Sequence, residues 1–349
     1  MSQLEVTRHQ LQESAEITIA DVARAAGVSV STVSRILNDK PDVAEKTRQR
    51  VQAVIKQLGY TPHAQAQRLA AGRSRTIALL YPLKSITVTH VELDFVVGAA
   101  AAAGEESYFF NLMTGPVTKM NLLNLYRSAQ VDGVILMQIH LQDWRVDFLR
   151  DHNFPFVMIG RCADNSGLSF IDLDFEGAAL AAFDYLVELG HRHIAFINRS
   201  PTLRQQGFGP PVRSFAGYQK ALEKYGLPFL YRDVNPTAAD ICEATLQLLD
   251  EQPNLTAIYC VYSSVSVGVI RALRQRGRMV PDDFSVVAIA TDQVAQLMTP
   301  PLTTIDFPTN TVGYQAAKML IAKLQQEPVD PHQILLPPQL ITRQSTGPV

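Results

Sequence analysis

The sequence predicts two folding units: an N-terminal all-α helix-turn-helix headpiece, and an α/β core of two doubly wound parallel-sheet lobes. Three observations carry this. Apolar residues recur at helical spacing over 18–58, whereas from Thr76 onward short apolar runs alternate with helical stretches. The strand-like runs are also too many for one sheet in a chain of 349 residues, 47% of which are hydrophobic.

In the first helix, Ile19, Val22, Ala23 and Ala26 fall at i, i+3, i+4 and i+7 and form one apolar stripe. Thr18 caps its start, and Asp21 suits the positive helix end. Gly27 supplies a residue able to take positive φ, after which Ser29 caps a second helix with Val33, Ile36 and Leu37 inward. Its outward face is Val30, Ser31, Ser34 and Arg35. Small hydroxylic residues near the N-terminus and one long guanidinium further on suit the major groove. Arg35 can fork onto guanine O6 and N7, while Ser31, Thr32 and Ser34 reach bases or phosphates. A plain helical hairpin at a protein surface is the competing reading of these residues alone. After the turn cluster at 38–41, Asp42 and Glu45 resemble a capping box for a third helix, whose stripe is Val51, Val54, Ile55 and Leu58 and which Gly59 ends.

Residues 1–16 show no periodicity and read as a tail; 17–61 form the headpiece and 62–74 a linker with few apolar anchors. In the core, 75–349, the strand candidates are TIALLY, SYFFNLM, VDGVILM, FPFVMIG, HIAFIN, LTAIYCV and FSVVAIA. Helices are expected at 175–189, 214–225, 238–250 and 264–275. Gly207-Phe208-Gly209-Pro210-Pro211 reads as a loop.

The net charge of −2 conceals an asymmetry: residues 1–75 hold 11 Lys and Arg against 7 Asp and Glu, the remainder 20 against 26. A basic head on an acidic body turns the head toward phosphate. No apolar run is long enough to span a bilayer, and the polar N-terminus lacks a signal core, so a cytoplasmic chain is expected. Cys162, Cys242 and Cys260 lack ligand spacing and read as reduced core residues. His191 and His193 flank Arg192 at a helix-to-strand turn and read as structural. GxSxG, GxxxxGK[ST], HExxH and GxGxxG are absent, so no catalytic residue, metal or cofactor is expected.

The run VSVSTVSRILN, the GYTPHAQAQRL run, GHRHIAFI, VPDDFSVVAIA and PPLTTI together resemble the lactose/purine-repressor (LacI) family of bacterial transcription regulators, from about Ile17 to Thr346. The resemblance implies a double-stranded palindromic DNA operator, a homodimer, and a small-molecule effector between lobes like those of periplasmic sugar-binding proteins. Carried onto this chain, Val30, Ser31 and Arg35 read base edges, and Thr18, Ser29, Thr32, Ser34, Asn38 and Tyr60 hold phosphates. The hinge segment adds His63, Ala66, Leu69 and Ala70 to the DNA-binding set, with Leu69 wedged into the minor groove. Gln65 stands where relatives often have an aliphatic. Three crossovers are expected near 162–165, 290–292 and 327–332, giving lobes of about 75–162 with 293–327, and 165–290 with 332–349.

The expected cleft departs from that family. Gly160, Ser214, Ser263 and Ala290 stand where relatives commonly carry Asp or Arg. Such groups hold a polyol directionally, so their loss counts against a standard sugar pose. The candidate effector residues are Arg161, Arg213, Ser214, Ser263, Thr291 and Asp292. Two readings stay open: a different effector, favoured as anionic by the two arginines, or a lost response. The expected function is a repressor; the competing classes are a sensory protein without sequence-specific DNA binding, and an enzyme.

Overall fold

The computed structural model describes residues 17–37, 42–60, 74–82, 90–326 and 332–349. The chain divides into two units, Met1–Ser74 and Arg75–Val349.

The first unit holds helices α1 (Ile19–Ala26), α2 (Val30–Leu37) and α3 (Glu45–Leu58). A capping box closes the start of α1: the Thr18 hydroxyl accepts from Asp21 N at 3.4 Å, and Thr18 N donates to Asp21 Oδ2 at 3.0 Å. The Thr18 hydroxyl also donates to Asp21 Oδ2 at 2.7 Å, and this bond, with the one from Thr18 N, lowers the Asp21 pKa. Gly27, at φ 61°, ends α1 in the left-handed region, and Val28 N reaches back to Ala23 O at 3.0 Å. Ser29 caps α2, its hydroxyl accepting from Thr32 N at 3.1 Å. The expected cap on α3 is corrected. Ala44 precedes that helix without a side-chain hydrogen bond, because Asp42 lies two residues too early to reach the first free amides; its carboxylate pairs instead with Arg35. Val22, Ala23, Ala26, Val33, Ile36, Val51 and Tyr60 form the core of this small unit.

The second unit has two six-stranded sheets of the same order. The first contains β1 (Thr76–Leu80), β2 (Phe109–Met113), β3 (Gly133–Leu136), β4 (Phe156–Ile159), β5 (Phe170–Leu173) and, late in the chain, β11 (Gln333–Leu336), ordered β11-β5-β4-β3-β1-β2. The second contains β6 (Ile194–Arg199), β7 (Tyr231–Val234), β8 (Ala257–Cys260), β9 (Ser285–Ala290), β10 (Thr303–Asp306) and β12 (Leu340–Ile341), ordered β12-β10-β9-β8-β6-β7. All pairings are parallel except β10 with β12. Strands covered on both faces must be apolar throughout, which is why β1 reads as an unbroken run: Ile77 and Leu79 enter one core cluster, Ala78 and Leu80 the other.

The covering helices of the first lobe include α4 (His90–Glu105), α5 (Lys119–Arg127) and α6 (Trp144–Asp151). Those of the second are α7 (Phe175–Glu188), α8 (Pro201–Gln205), α9 (Gly209–Tyr225), α10 (Ala238–Glu251), α11 (Ser263–Gln275) and α12 (Asp292–Leu297). Helix α13 (Thr309–Leu324) returns to pack on α4. The expected loop at 207–211 is corrected: Gly209-Pro210-Pro211 opens α9, where the missing proline N–H groups would have been unpaired anyway.

The expected crossovers are corrected as well. The chain changes lobe between Leu173 and Phe175, between Asp306 and Thr309, and between Leu336 and Leu340. At each crossover the lobe being left therefore gains a strand, β5, β10 and β11 in turn. Strands β5 and β10 carry Asp172, Thr303 and Thr304 inside the sheet, and buried polar residues interrupt the apolar run by which a strand is read from sequence.

His191 is 3% exposed and ties the second lobe together. Its Nδ1 lies 2.9 Å from Thr256 Oγ1 and its Nε2 2.9 Å from Ser285 Oγ, and burial lowers its pKa. All three cysteines are free and buried. Among the described residues no helix is long and apolar enough to cross a membrane, and no cluster of His, Cys, Asp and Glu has metal-binding geometry.

Candidate nucleic-acid interface and interlobe cavity

Helix α2 buries Val33 and Ile36, so the helical period turns Val30, Ser31 and Arg35 outward, all exposed, with Ser34 half-buried between them. At its N-terminus the hydroxyls form a cluster: Ser29 Oγ lies 2.7 Å from Ser31 Oγ and 2.8 Å from Thr32 Oγ1. Arg35 Nη1 sits 2.9 Å from Asp42 Oδ2, with side chains 60% and 49% exposed. A pair so exposed contributes about 0–1 kcal/mol, so Arg35 can exchange Asp42 for another acceptor. Thr18 is engaged in its capping box. The Tyr60 ring is buried in the headpiece core, and burial raises its hydroxyl pKa. Asn38, His63, Gln65, Ala66, Leu69 and Ala70 lie outside the described residues.

In the second unit a cavity of about 310 Å³ opens between the lobes. The carboxyl ends of the strands supply its polar groups. Tyr81 follows β1, Gln138 follows β3, Arg161 follows β4, Arg199 ends β6, Tyr262 follows β8 and Thr291 follows β9. Apolar walls fill the intervals, and Phe95, Phe307 and Phe175 meet edge-on with centroids 5.7 Å apart at both contacts.

Of the residues expected at the effector site, Arg161, Arg213, Ser263 and Thr291 line this cavity. Two do not. Ser214 is fully buried behind it, because one step along α9 from Arg213 turns the side chain into the lobe. Asp292, first residue of α12, points away: its carboxylate takes Arg343 Nη2 at 2.5 Å and Gln296 Nε2 at 2.6 Å.

Tyr81, Glu92, Gln138, Asp172, Arg199 and Tyr262 line the cavity without having been expected there. The rule that α/β sheets bind ligands at strand carboxyl ends would have found Arg199 and Tyr262. Arg199 lies 5.5 Å from the centroid of the Tyr262 ring; its Nε is buried without a hydrogen-bond partner. Arg161 stands 3.4 Å from Asp172 Oδ2 through its Nε and 4.0 Å from Asp174 Oδ1 through Nη2. Burial pushes the Asp172 carboxyl up to about 7, against the opposing pull of Arg213 and Arg161.

The lobes are fastened to each other beside this cavity. Leu141 N donates to Gly207 O at 2.7 Å and Gly209 N to Ile139 O at 3.1 Å. Arg213 Nη2, from the second lobe, donates to Arg161 O at 2.9 Å and Cys162 O at 3.0 Å in the first. The 138–143 loop is set by a buried pair: Asp143 accepts from Arg145 Nε at 2.9 Å and Nη2 at 2.6 Å. Burial opposes its ionisation, yet Arg145 and His140 hold the Asp143 carboxyl far below the usual range.

A helix presenting Ser31 and Arg35 on a minimal helical unit, together with a two-lobed core enclosing a ligand-sized cavity, defines a DNA-binding regulator of the ligand-responsive kind. The family of "Bacterial regulatory proteins, lacI family" matches residues 18–63, and the "Periplasmic binding protein-like domain" matches 183–346. Catabolite control protein A of Priestia megaterium is 30% identical over 347 residues, covering 95% of this chain and 99% of its own. The structure of the regulator CelR with cellobiose aligns at a TM-score of 0.69 and 30% identity, over 94% of this chain and 99% of the other. The lac repressor dimer bound to operator and the anti-inducer ONPF aligns at 0.81 and 26% identity, over 95% and 99%. The chain belongs to the LacI family of bacterial regulatory proteins: it is a DNA-binding transcriptional regulator and not an enzyme.

Proposed function

We propose that the protein is a cytoplasmic, homodimeric repressor that reads a palindromic operator, with affinity set by a small molecule bound between the lobes. The observation carrying this reading is α2, which offers Val30, Ser31 and Arg35 to solvent from a face fixed by buried Val33 and Ile36. Arg35 forks onto a guanine edge, Val30 and Ser31 touch neighbouring bases, and the hydroxyls of Ser29, Thr32 and Ser34 take phosphate, as do Thr18, Asn38 and Tyr60. His63, Ala66, Leu69 and Ala70 complete the DNA contacts through the minor groove, Leu69 as an apolar wedge. Arg161, Arg213, Ser263 and Thr291 belong to the effector site; Ser214 and Asp292 act only through their neighbours. Effector binding shifts operator affinity by a coupling energy of about 1–3 kcal/mol.

The test is selection of bound duplexes from a random pool by the full-length protein at two salt concentrations. A palindrome enriched at both, with total binding falling steeply as salt rises, is the expected result. General binding without enrichment would refute sequence-specific repression and favour a sensory role centred on the cavity.

A further inference from the structure

Apolar side chains make up much of the wall of the interlobe cavity. Val91, Phe95, Ile139, Phe208, Met298 and Phe307 present carbon over most of the enclosed space. Among the charged groups cations prevail, Arg161, Arg199 and Arg213 facing the cavity against Glu92 and Asp172, beside neutral polar groups such as Tyr81, Gln138 and Tyr262. Arg213 directs its Nη2 onto the carbonyls of Arg161 and Cys162. Arg161 has a long contact to Asp172, and its Nε and Asp172 Oδ2 are both buried without a hydrogen-bond partner. Arg199 pairs with no carboxylate among the described residues, and its Nε is likewise buried and unpartnered. Burial of an unpaired guanidinium donor is costly, so a site that keeps one is completed by an acceptor from outside.

We propose that this cavity takes an organic carboxylate with an apolar body, the carboxylate received by Arg199 and the body lying among Phe95, Phe175 and Phe307. The proposal rests on the cavity being the effector site and gives that effector its chemical class. The enclosed volume, about 310 Å³, lies at the small end of the roughly 300–1,000 Å³ spanned by ligand pockets, which sets a compact single-ring or short-chain acid. The Arg199 guanidinium carbon lies 5.5 Å from the centroid of the Tyr262 ring, within cation–π range, and both residues line the cavity. Asp172 retains a proton more readily than an ordinary carboxyl, which leaves the lining net positive.

The experiment is calorimetric titration of the full-length protein with phenylacetate, benzoate and hexanoate, with phenylacetamide, benzamide and hexanamide as their neutral counterparts, and with D-glucose and D-ribose. At least one acid is expected to bind saturably, with its amide about 10- to 100-fold weaker, the range for loss of one charged hydrogen bond. Arg199→Gln is expected to abolish the difference between acid and amide. Equal binding of an acid and its amide, binding of the sugars in place of the acids, or binding of none of the probes would each overturn the proposal; the acid–amide comparison in the unaltered chain does not depend on the variant folding. Operator affinity measured in the same samples separates the two readings. An acid that binds but leaves operator affinity unchanged would keep the ligand class and remove the coupling. Intact operator binding with no acid bound would remove the ligand class and leave the repressor.

Discussion

Arg35 of the headpiece has a side chain 60% exposed and one exposed partner, Asp42 at 2.9 Å. Arg213 of the core is 8% exposed and donates to two backbone carbonyls of the opposite lobe. The same side chain thus serves opposite ends. On the headpiece its partner is weakly held and water competes for it, so the guanidinium remains available to a base edge. In the core, water is excluded and the acceptors are fixed, so the guanidinium ties one lobe to the other at the edge of the cavity. Exposure separates an arginine that can exchange its partner from one that fastens the lobes.

Substitutions can sharpen that contrast. The largest effect is expected from Gly217→Ala, since a Cβ there would collide with the Glu176 carbonyl oxygen and force α9 away from α7. Core stability should fall by about 3 kcal/mol or more, read from the urea midpoint; an unchanged midpoint would mean that the helices separate freely. Next comes the pH dependence contributed by Asp172. Its folded pKa is raised from 3.8 to about 7, so its contribution is fully present below 3.8 and is lost as pH rises through 7. Asp172→Asn should therefore flatten stability against pH across that window; parallel profiles for the two proteins would refute a protonated Asp172.

Arg213→Ala leaves the carbonyls of Arg161 and Cys162 without their donor. A loss of about 2–3 kcal/mol and a larger radius of gyration in small-angle scattering are expected, whereas unchanged values for both would show that the backbone bonds alone hold the lobes. Arg35→Ala should weaken operator binding by about 1–3 kcal/mol, relax preference at one base pair per half-site, and leave the melting temperature unchanged. A uniform loss across scrambled sequences would make Arg35 a phosphate contact. The smallest effect is that of Asp42→Asn, which releases Arg35 and should tighten operator binding by at most about 1 kcal/mol at low salt. Weaker binding in that variant would mean that Asp42 orients Arg35 rather than occupying it.

The headpiece was legible because its signals are local. Thr18 and Asp21, Gly27, Ser29 and the stripe through Val33 and Ile36 act within a few residues, and all took the expected roles. Asp42 failed because an acidic residue three before a glutamate fits either a cap or a cross-helix pair, and only the position of Ala44 separates these. Strands β5 and β10 were hidden by buried polar residues, and the crossovers were displaced with them. Arg161, Arg213, Ser263 and Thr291 were found at the cavity, but Arg199 was not, since a charged residue ending an apolar run reads equally well as a solvated strand end.

The sequence by itself determined the two units, the family, the face of α2 and the parallel α/β character of the core, because helix period, strand burial and capping act over short spans of chain. Tertiary structure decided which polar groups meet. Arg213 reaches the carbonyls of Arg161 and Cys162 from about fifty residues away, and Asp172, Arg199 and Tyr262 share one cavity from three separate strand ends. Such meetings are set by sheet order and by where the chain changes lobe, and no local spacing encodes either.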